Sequence, residues 1–336
     1  MSHPANDASR AKSSGIQPVA IESVAVAGAT GQVGREIVRT LLNRGVSVRA
    51  LVRNPAKLAD QLAGSPLEKL DIRRIELADE GSIRGQLDNI DTVISALGKT
   101  LQRGGASRRA VDVDANLNLL AEAQRAGVRR FGFVSVAEAS LDHPVAMVRM
   151  KGEVEQAIEE SGLDHVIVQP TGYFSDLWQL FEMARKGTFW VVGDGAMRFN
   201  PIHPREVAEV LVNHLSGGEA RARLPIGGPE TFDSAGLVAV CEQVLGRPVR
   251  VRHLPLWLAR GATAALRLFH EDTWQLADFF VGNIAYARRE QANDASQPVA
   301  GSERLIDYFR DRLQAESHDL AHATPASRSS SSRAAA

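Results

Sequence analysis

Cysteine is nearly absent from this chain, which has a single one, Cys241, among 336 residues. One cysteine forms no internal disulfide, and its place in the apolar helical pattern LVAVCEQVLG predicts a core residue rather than a nucleophile. The nine histidines are scattered, and the sequence has no HExxH or CxxC motif. These absences exclude a disulfide-stapled scaffold, and the sequence predicts no metal site.

The sequence also lacks a strong net charge and long apolar runs. Its formal net charge of −1 predicts no nucleic-acid partner, although Arg103, Arg108 and Arg109 form a local basic cluster. No stretch reaches the ~20 apolar residues that span a bilayer, and the amino-terminal residues contain no apolar signal segment. We therefore expect a cytoplasmic protein that acts on a small molecule.

The most informative segment is SVAVAGATGQVGREIVRTLLNRG at 23–45, an apolar strand that runs through three glycines into an amphipathic helix. Gly28 permits a tight turn, Gly31 lets the backbone approach a pyrophosphate, and Gly34 lets the helix pack closely on the strand. A sharp strand-to-helix loop without a ligand is the alternative. The pattern predicts a dinucleotide-binding turn whose cofactor contacts are Gly28, Thr30, Gly31, Gln32, Val33 and Gly34.

The second strand, VSVRALVR at 46–53, ends in Arg53, and Lys57 follows. An NAD enzyme usually has an acidic residue at this position. A cation there favours NADP(H) over NAD(H), because the 2′-phosphate adds negative charge that an arginine binds with two hydrogen bonds. A solvated basic loop is the alternative.

Strand and helix patterns then alternate along the chain. Further strands are predicted at 73–77, 91–98, 129–136 and 165–170, with helices at 111–126 and 145–161. The alternation predicts an α/β fold with a doubly wound parallel sheet, in which ligands bind at the carboxyl ends of the strands. The cofactor contacts predicted at these strand ends are Leu77, Ser95, Ala96, Leu97, Pro170, Thr171, Gly172 and Tyr173.

These residues resemble the short-chain dehydrogenase/reductases, within them the atypical, NmrA-like branch. The resemblance covers about 22–255 and depends on GATGQVG at 28–34, LVRNPAK at 51–57, ISALG at 94–98, the segment 111–135, VQPTGYF at 168–174 and NPIHPREVAEV at 200–210. The stretch 193–232 is most similar to divinyl chlorophyllide 8-vinyl reductases and their bacterial relatives. The resemblance implies a Rossmann sheet with a smaller C-terminal α+β substrate lobe and a helical extension.

In the regular members of this family a Ser, a Tyr and a Lys form the active site. The resemblance assigns Ser135 and Lys151 to these positions, with Lys151 binding the nicotinamide ribose. Four residues before the lysine stands Met147, where the regular members have the tyrosine. A thioether has no proton to donate, so the usual mechanism of carbonyl reduction is disfavoured.

Three other side chains are candidates for the missing acid. Tyr173 is the leading one, because it follows a strand end that faces the nicotinamide; a wall of the nicotinamide pocket is its alternative role. His203 is the second, since imidazole titrates near neutrality, although a histidine between prolines also fixes loops. His143, on the loop after the fifth strand, is a weaker candidate.

The sequence divides into a dinucleotide-binding domain at 20–172 and a substrate lobe with C-terminal helices at 173–316, which partly share the sheet; 1–19 and 317–336 are predicted to be disordered tails. The helical segment 254–286 has the apolar content of an interfacial helix, so peripheral membrane contact is open. Two functions follow: an NADPH-dependent reductase of an apolar conjugated substrate, or a non-catalytic NADP(H)-responsive regulator. The oligomeric state is open.

Overall fold

The computed structural model describes residues 21–98, 106–218, 220–267, 271–290 and 294–322. The tail predicted at 1–19, the end of the chain beyond 322 and the predicted basic residue Arg103 lie outside these ranges. The last helix continues to His322, so the part of the predicted second tail at 317–322 is helical.

Seven parallel strands form the central sheet in the order β3-β2-β1-β4-β5-β6-β8, and a small second sheet pairs β7 with β9 in parallel. The predicted α/β class with a doubly wound parallel sheet is confirmed. The strands are β1 Ser23–Ala27, β2 Ser47–Val52, β3 Leu70–Arg74, β4 Thr92–Ser95, β5 Arg130–Val134, β6 Asp164–Pro170, β7 Thr188–Val192, β8 Ala222–Ile226 and β9 Arg250–Leu254.

The predicted position of the third strand, 73–77, was wrong by three residues at each end. The strand LDIRR lies at the edge of the sheet and is mostly polar, so no apolar run marks it. Ile75 and Leu77, which suggested a strand, are buried in the loop that follows.

Helices cover both faces of the sheet, as expected of a doubly wound fold. Apolar residues of α1 and α7 pack with the strands in one core, and those of α4 and α5 pack in another. The helices are α1 Gln32–Asn43, α2 Pro55–Gln61, α3 Glu80–Ile83, α4 Ala115–Arg125, α5 Ala146–Glu160, α6 Phe174–Arg185, α7 Pro204–Ser216, α8 Ser234–Leu245, α9 Leu256–Leu266, α10 Glu271–Arg289 and α11 Leu305–His322.

A third core joins α6, α8 and α11 in the C-terminal half, where Phe181 stacks on Trp178 and Phe309 packs against both rings. Cys241 lies in this core and is 1% exposed, and burial raises the pKa of its thiol to about 12. The cysteine is therefore a packing residue, as its helical pattern predicts.

The segment predicted as one helical region, 254–286, contains two helices, α9 and α10, separated by residues outside the described ranges. None of the helices in the described ranges has the length and apolar character needed to cross a bilayer.

The sheet order places β1 beside β4, with β2 on the other side of β1. This is the point at which the strand order reverses, and open α/β sheets bind their ligands in the crevice at the carboxyl ends of such strands. The ends of β1, β2, β4, β5 and β6 are therefore the parts of the fold where the site is expected.

Candidate cofactor and active site

The glycine-rich turn after β1 has space for backbone only. Gly28 has φ +78°, and a Cβ there would lie 2.6 Å from the carbonyl oxygen of Ala96 on β4's extension. A Cβ on Gly34 would overlap the carbonyl oxygen of Gly28. Both positions therefore require glycine, one for its backbone conformation and both for close approach of chain segments.

Helix α1 begins at this turn without a side-chain cap. Gly31 is its N-cap residue; its N–H donates to the Gly28 carbonyl at 2.9 Å, but no side chain accepts from the first-turn N–H groups. These free donors and the helix dipole form an anion site. Val33 packs in the core and is 7% exposed, so it can contact a cofactor through its backbone. The turn fits a pyrophosphate.

Cations gather at the ends of β2 and β3. Arg53 directly follows β2 and is exposed, and Lys57 is exposed in the first turn of α2. Val52 pairs with Arg74 across the two strands, so Arg74 lies at the same edge of the sheet. The sequence prediction missed Arg74 because the third strand was misplaced. In the described part of the chain Arg53 and Arg74 make no ion pair, and both are available to an anion.

Hydrogen bonds within the protein hold the end of β4 in place. Ser95 Oγ donates to Asn116 Oδ1 at 2.5 Å and accepts from the Leu97 N–H at 3.3 Å, so its hydroxyl is engaged by the protein. The carbonyl of Leu77 accepts from Asn118 Nδ2 at 3.1 Å. Ser95 and Leu77 are predicted cofactor contacts. These bonds hold the end of β4, at Ser95, and the loop after β3, at Leu77, against α4.

A π-helical turn, Ala110–Asp114, precedes α4, and π turns are frequent at functional sites. It carries a buried ion pair, in which Arg108 Nη1 lies 3.6 Å from Asp112 Oδ2. Arg108 Nε also donates to Gln275 Oε1 of α10 at 2.9 Å. Arg108 was predicted as part of a surface basic cluster, and this prediction was wrong, because the residue is 2% exposed.

Lys151 reaches from α5 to two strand ends. Its Nζ donates to the carbonyl oxygens of Leu97 (2.8 Å) and Val134 (3.1 Å). An ammonium group has three N–H donors, so one remains for a ligand beside these strand ends. Burial lowers the pKa of Lys151, and the carboxylates of Asp112 and Glu155 oppose the decrease.

Ser135 follows β5 and is 5% exposed, and its Oγ makes no hydrogen bond of normal geometry with the described residues. The buried Glu155 lies near Ser135, and its carboxylate accepts from Gln169 Nε2 at 2.9 and 3.0 Å and lies 3.2 Å from Arg223 Nη2. Burial raises the pKa of Glu155, and Ser135, Gln169 and Arg223 oppose the rise. The Ser135 hydroxyl interacts with Glu155 electrostatically but makes no hydrogen bond of normal geometry among the described residues, so it is available to a ligand.

The loop after β6 is held by a neighbouring segment. Thr171 Oγ1 donates to the Asn200 carbonyl at 2.7 Å, and the Ile202 N–H donates to the Gly172 carbonyl at 3.0 Å. The Pro170 carbonyl accepts from the loop after β5. These bonds bring the ends of β5 and β6 together, so the predicted residues 170–173 line the same edge as Ser135.

Tyr173 is the N-cap residue of α6, at the carboxyl end of β6. Burial raises the pKa of its phenol, and the carboxylate of Asp176 adds to the rise. Asp176 lies in the first turn of α6, and part of its side chain is exposed. Neighbouring protein atoms nevertheless desolvate its carboxylate, which raises the pKa of Asp176 to about 6. Sequence reasoning missed Asp176; its position three residues after Tyr173 at a helix start was the available signal.

His203 is the N-cap of α7, where its Nδ1 accepts from the Arg205 N–H at 3.1 Å. Its ring packs edge-on against Phe174 and Tyr308. Burial lowers the pKa of His203, so the neutral imidazole that the cap requires is favoured. The geometry supports the loop-fixing alternative, and a proton-donor role for His203 stays a prediction.

His143 was predicted on an exposed loop, and this was wrong: it is 4% exposed. Its ring lies 4.5 Å from that of Tyr286 on α10, and its Nδ1 accepts from the Val145 N–H at 3.2 Å. Burial lowers its pKa, and Nε2 has no partner among the described residues. Helix α10 therefore covers this loop.

Comparison with known proteins agrees with the cofactor-binding geometry of the glycine turn. A family model described as NAD(P)H-binding matches residues 28–216, which include the glycine turn and the ends of β2, β4, β5 and β6. The chain belongs to this NAD(P)H-binding family. The NAD(P)-binding character predicted from the turn is confirmed.

Three relatives indicate the range of the family. The chain is 28% identical over 248 residues to the photosystem II assembly factor Ycf39 of Guillardia theta (70% of this chain, 74% of the relative). It is 30% identical over 247 residues to an NAD(P)H azoreductase of Xenophilus azovorans (72% and 81%). It is 31% identical over 259 residues to the chloroplastic divinyl chlorophyllide a 8-vinyl-reductase of Oryza sativa subsp. indica (71% and 63%).

The resemblance to NAD(P)-binding reductases and to the vinyl reductases is thereby confirmed. The relatives include reductases of different substrates, so the family is reductase-like while the substrate varies among its members. The assigned roles of Ser135, Lys151, Tyr173 and His203 stay predictions.

Proposed function

We propose that this protein is an NADPH-dependent reductase of a small, apolar, conjugated acceptor. The observation that carries the proposal is the arrangement at the ends of β4 and β5, where one N–H of Lys151 and the hydroxyl of Ser135 make no hydrogen bond of normal geometry with the described residues. Both lie in the crevice of the NAD(P)H-binding fold. A buried hydroxyl without a partner is costly unless a ligand satisfies it.

The cofactor would be held at three places. The uncapped start of α1 would bind the pyrophosphate, Lys151 the ribose beside the nicotinamide, and Arg53 with Lys57 and Arg74 the 2′-phosphate. When bound, NADPH supplies a hydride. The preference for NADPH over NADH depends on the three cations and is part of the proposal.

The protein would supply the proton that completes a two-electron reduction. We assign this step to Tyr173, because its phenol carries a proton at neutral pH and the residue lies at the carboxyl end of β6, on the same edge of the sheet as Ser135. Ser135 would polarise the acceptor by donating a hydrogen bond. Met147, which is partly buried against the neighbouring core, would take no part in proton transfer.

A non-catalytic NADP(H)-binding regulator is the second candidate. Met147 in place of the usual acid favours it, and so does the similarity to a protein described as an assembly factor. We favour the reductase, since azoreductase and vinyl reductase relatives stand at similar identity. The cytoplasm is the proposed compartment for either role.

The deciding experiment is a titration of the purified protein with NADPH and NADH by nicotinamide fluorescence. It is followed by a panel of quinone, azo and enone acceptors monitored by loss of NADPH absorbance. Oxidation on an acceptor that is lost in Ser135→Ala and Tyr173→Phe supports the reductase. Binding without oxidation on the whole panel supports the regulator, and absence of binding contradicts both.

A further inference from the structure

The helix α9 presents apolar residues to solvent. Its inward stripe is narrow: only Ala259 and Thr263 are buried. On the outer side, Trp257 is 74% exposed and Leu258 is 45% exposed. A helix on the surface of a water-soluble protein normally has polar residues on the face opposite the core, so α9 departs from the rule.

The helical positions make this face continuous. At 100° per residue, Trp257, Gly261 and Ala264 point in one direction, and Leu258 with Ala265 lies directly beside them. All five are exposed. We name this set the α9 face. The rest of the outer side has one cation, Arg260, which borders the α9 face.

The sequence that contains the α9 face is rich in arginine. Between Glu242 and Glu271 the sequence has five arginines and no aspartate or glutamate. Within the described ranges, Arg250, Arg252 and Arg260 form no ion pair with a carboxylate. Arg252 instead lies 5.9 Å from the ring of Trp190, which is itself exposed.

We propose that the α9 face with its flanking arginines binds the surface of an anionic membrane. An exposed tryptophan beside leucine and alanine fits the boundary between headgroups and acyl chains, and long arginine side chains at the border reach lipid phosphates. The five arginines of this sequence window complement the negative surface potential of such a membrane. The protein would lie on the membrane without spanning it.

The charge pattern argues against a second copy of the chain as the occupant. In a two-fold symmetric dimer the same surface meets itself, so the unpaired arginines of one copy would approach those of the other. Like charges in an interface oppose association, whereas an anionic surface neutralises them. The inference is independent of the reductase proposal, because it concerns a different surface.

The test is co-sedimentation of the full chain with vesicles of pure phosphatidylcholine and with vesicles of phosphatidylcholine and phosphatidylglycerol in equal parts. We expect binding to the mixed vesicles, weakened by salt, and little binding to the neutral ones. Removing one arginine should weaken the partition about fivefold, which corresponds to about 1 kcal/mol per basic residue. Leu258→Ser should weaken it about tenfold or more.

The variants are the single changes Trp257→Ser, Leu258→Ser and Arg252→Ala, and the double changes Trp257→Ser with Leu258→Ser and Arg250→Glu with Arg252→Glu. The matched controls are Leu67→Ser, at an exposed leucine shortly before the edge strand β3, and Arg129→Glu, at an exposed arginine before β5. Circular dichroism and thermal unfolding verify that each variant folds. Loss of vesicle binding in the α9 variants alone supports the proposal.

Three results would overturn it. One is absence of binding to either vesicle. Another is binding that the α9 variants leave unchanged. The third is concentration-dependent dimerisation in sedimentation velocity that Trp257→Ser abolishes, because the face would then be covered by a second copy.

Discussion

The substitution Arg53→Ala tests the proposed preference for NADPH over NADH. Arg53 follows the last residue of β2, is exposed, and makes no ion pair in the described part of the chain. Removing its side chain should therefore leave the fold intact, since surface substitutions away from special features change stability by about 0.5 kcal/mol or less. Any large effect must come from the ligand.

The expected magnitude follows from the exposure of Arg53. A hydrogen bond to a charged group contributes about 1.5 to 3 kcal/mol, and an exposed, solvated site belongs at the lower end. A loss of about 1.5 kcal/mol raises the Kd for NADPH about tenfold. Because Lys57 and Arg74 remain near the same edge of the sheet, part of the preference for NADPH should persist.

The assay is fluorescence titration of wild type and variant with NADPH and NADH at low and high salt. We expect a tenfold weaker Kd for NADPH, an unchanged Kd for NADH, and a smaller difference at high salt because screening weakens exposed charges. Arg129→Ala, at an exposed arginine before β5, is the matched control and should change neither. Equal weakening for both cofactors would refute a 2′-phosphate contact at Arg53.

Three further predictions follow from the site. Gly34→Ala should abolish measurable cofactor binding and destabilise the fold by about 1 to 3 kcal/mol, because its Cβ overlaps the Gly28 carbonyl; the same change at Gly261, where the space is open, should be stabilising in thermal unfolding. Tyr173→Phe should lower the turnover of an acceptor about 100-fold with little change in NADPH affinity, which steady-state kinetics and titration separate. Burial lowers the pKa of His203 below the ordinary 6.5, so the stability that the neutral ring contributes is lost as pH falls below about 6.5. The variant His203→Asn keeps a cap acceptor and should therefore show a smaller decrease of Tm between about pH 7 and pH 5 than wild type. An unchanged decrease would exclude this histidine as its source.

The parts of the fold that the sequence predicts are those with a local cause. The turn at Gly28 to Gly34 is encoded in seven consecutive residues, and the structure explains each glycine by a backbone contact within or next to that turn. The central strands are buried on both faces and read as continuous apolar runs. The edge strand LDIRR has no such run, and for that reason its position and the cation Arg74 were missed.

The misassigned side chains have partners that are distant in sequence. Arg108 looks like a surface arginine until Gln275, 167 residues later, places α10 against it. His143 looks like an exposed loop residue until Tyr286 of the same helix covers it. Periodicity within α10 predicts a helix with an apolar face but gives no information on which segment that face contacts. These burials therefore become visible only in three dimensions.

This division between local and distant causes also separates cofactor from substrate. The groups proposed to hold NADPH lie on β1 to β6 and their adjoining helices, where the family model matches and short motifs specify the geometry. Tyr286 of α10 packs against His143 and Tyr308 of α11 packs against His203, and both tyrosines lie beyond residue 216, where that match ends. We therefore propose that α10 and α11 contribute to the choice of acceptor. Exchange of α10 and α11 between this chain and a relative of known substrate should therefore change the acceptor profile. The affinity for NADPH should stay within about twofold, because the groups proposed to bind the cofactor lie on other elements and do not depend on contacts made by the acceptor.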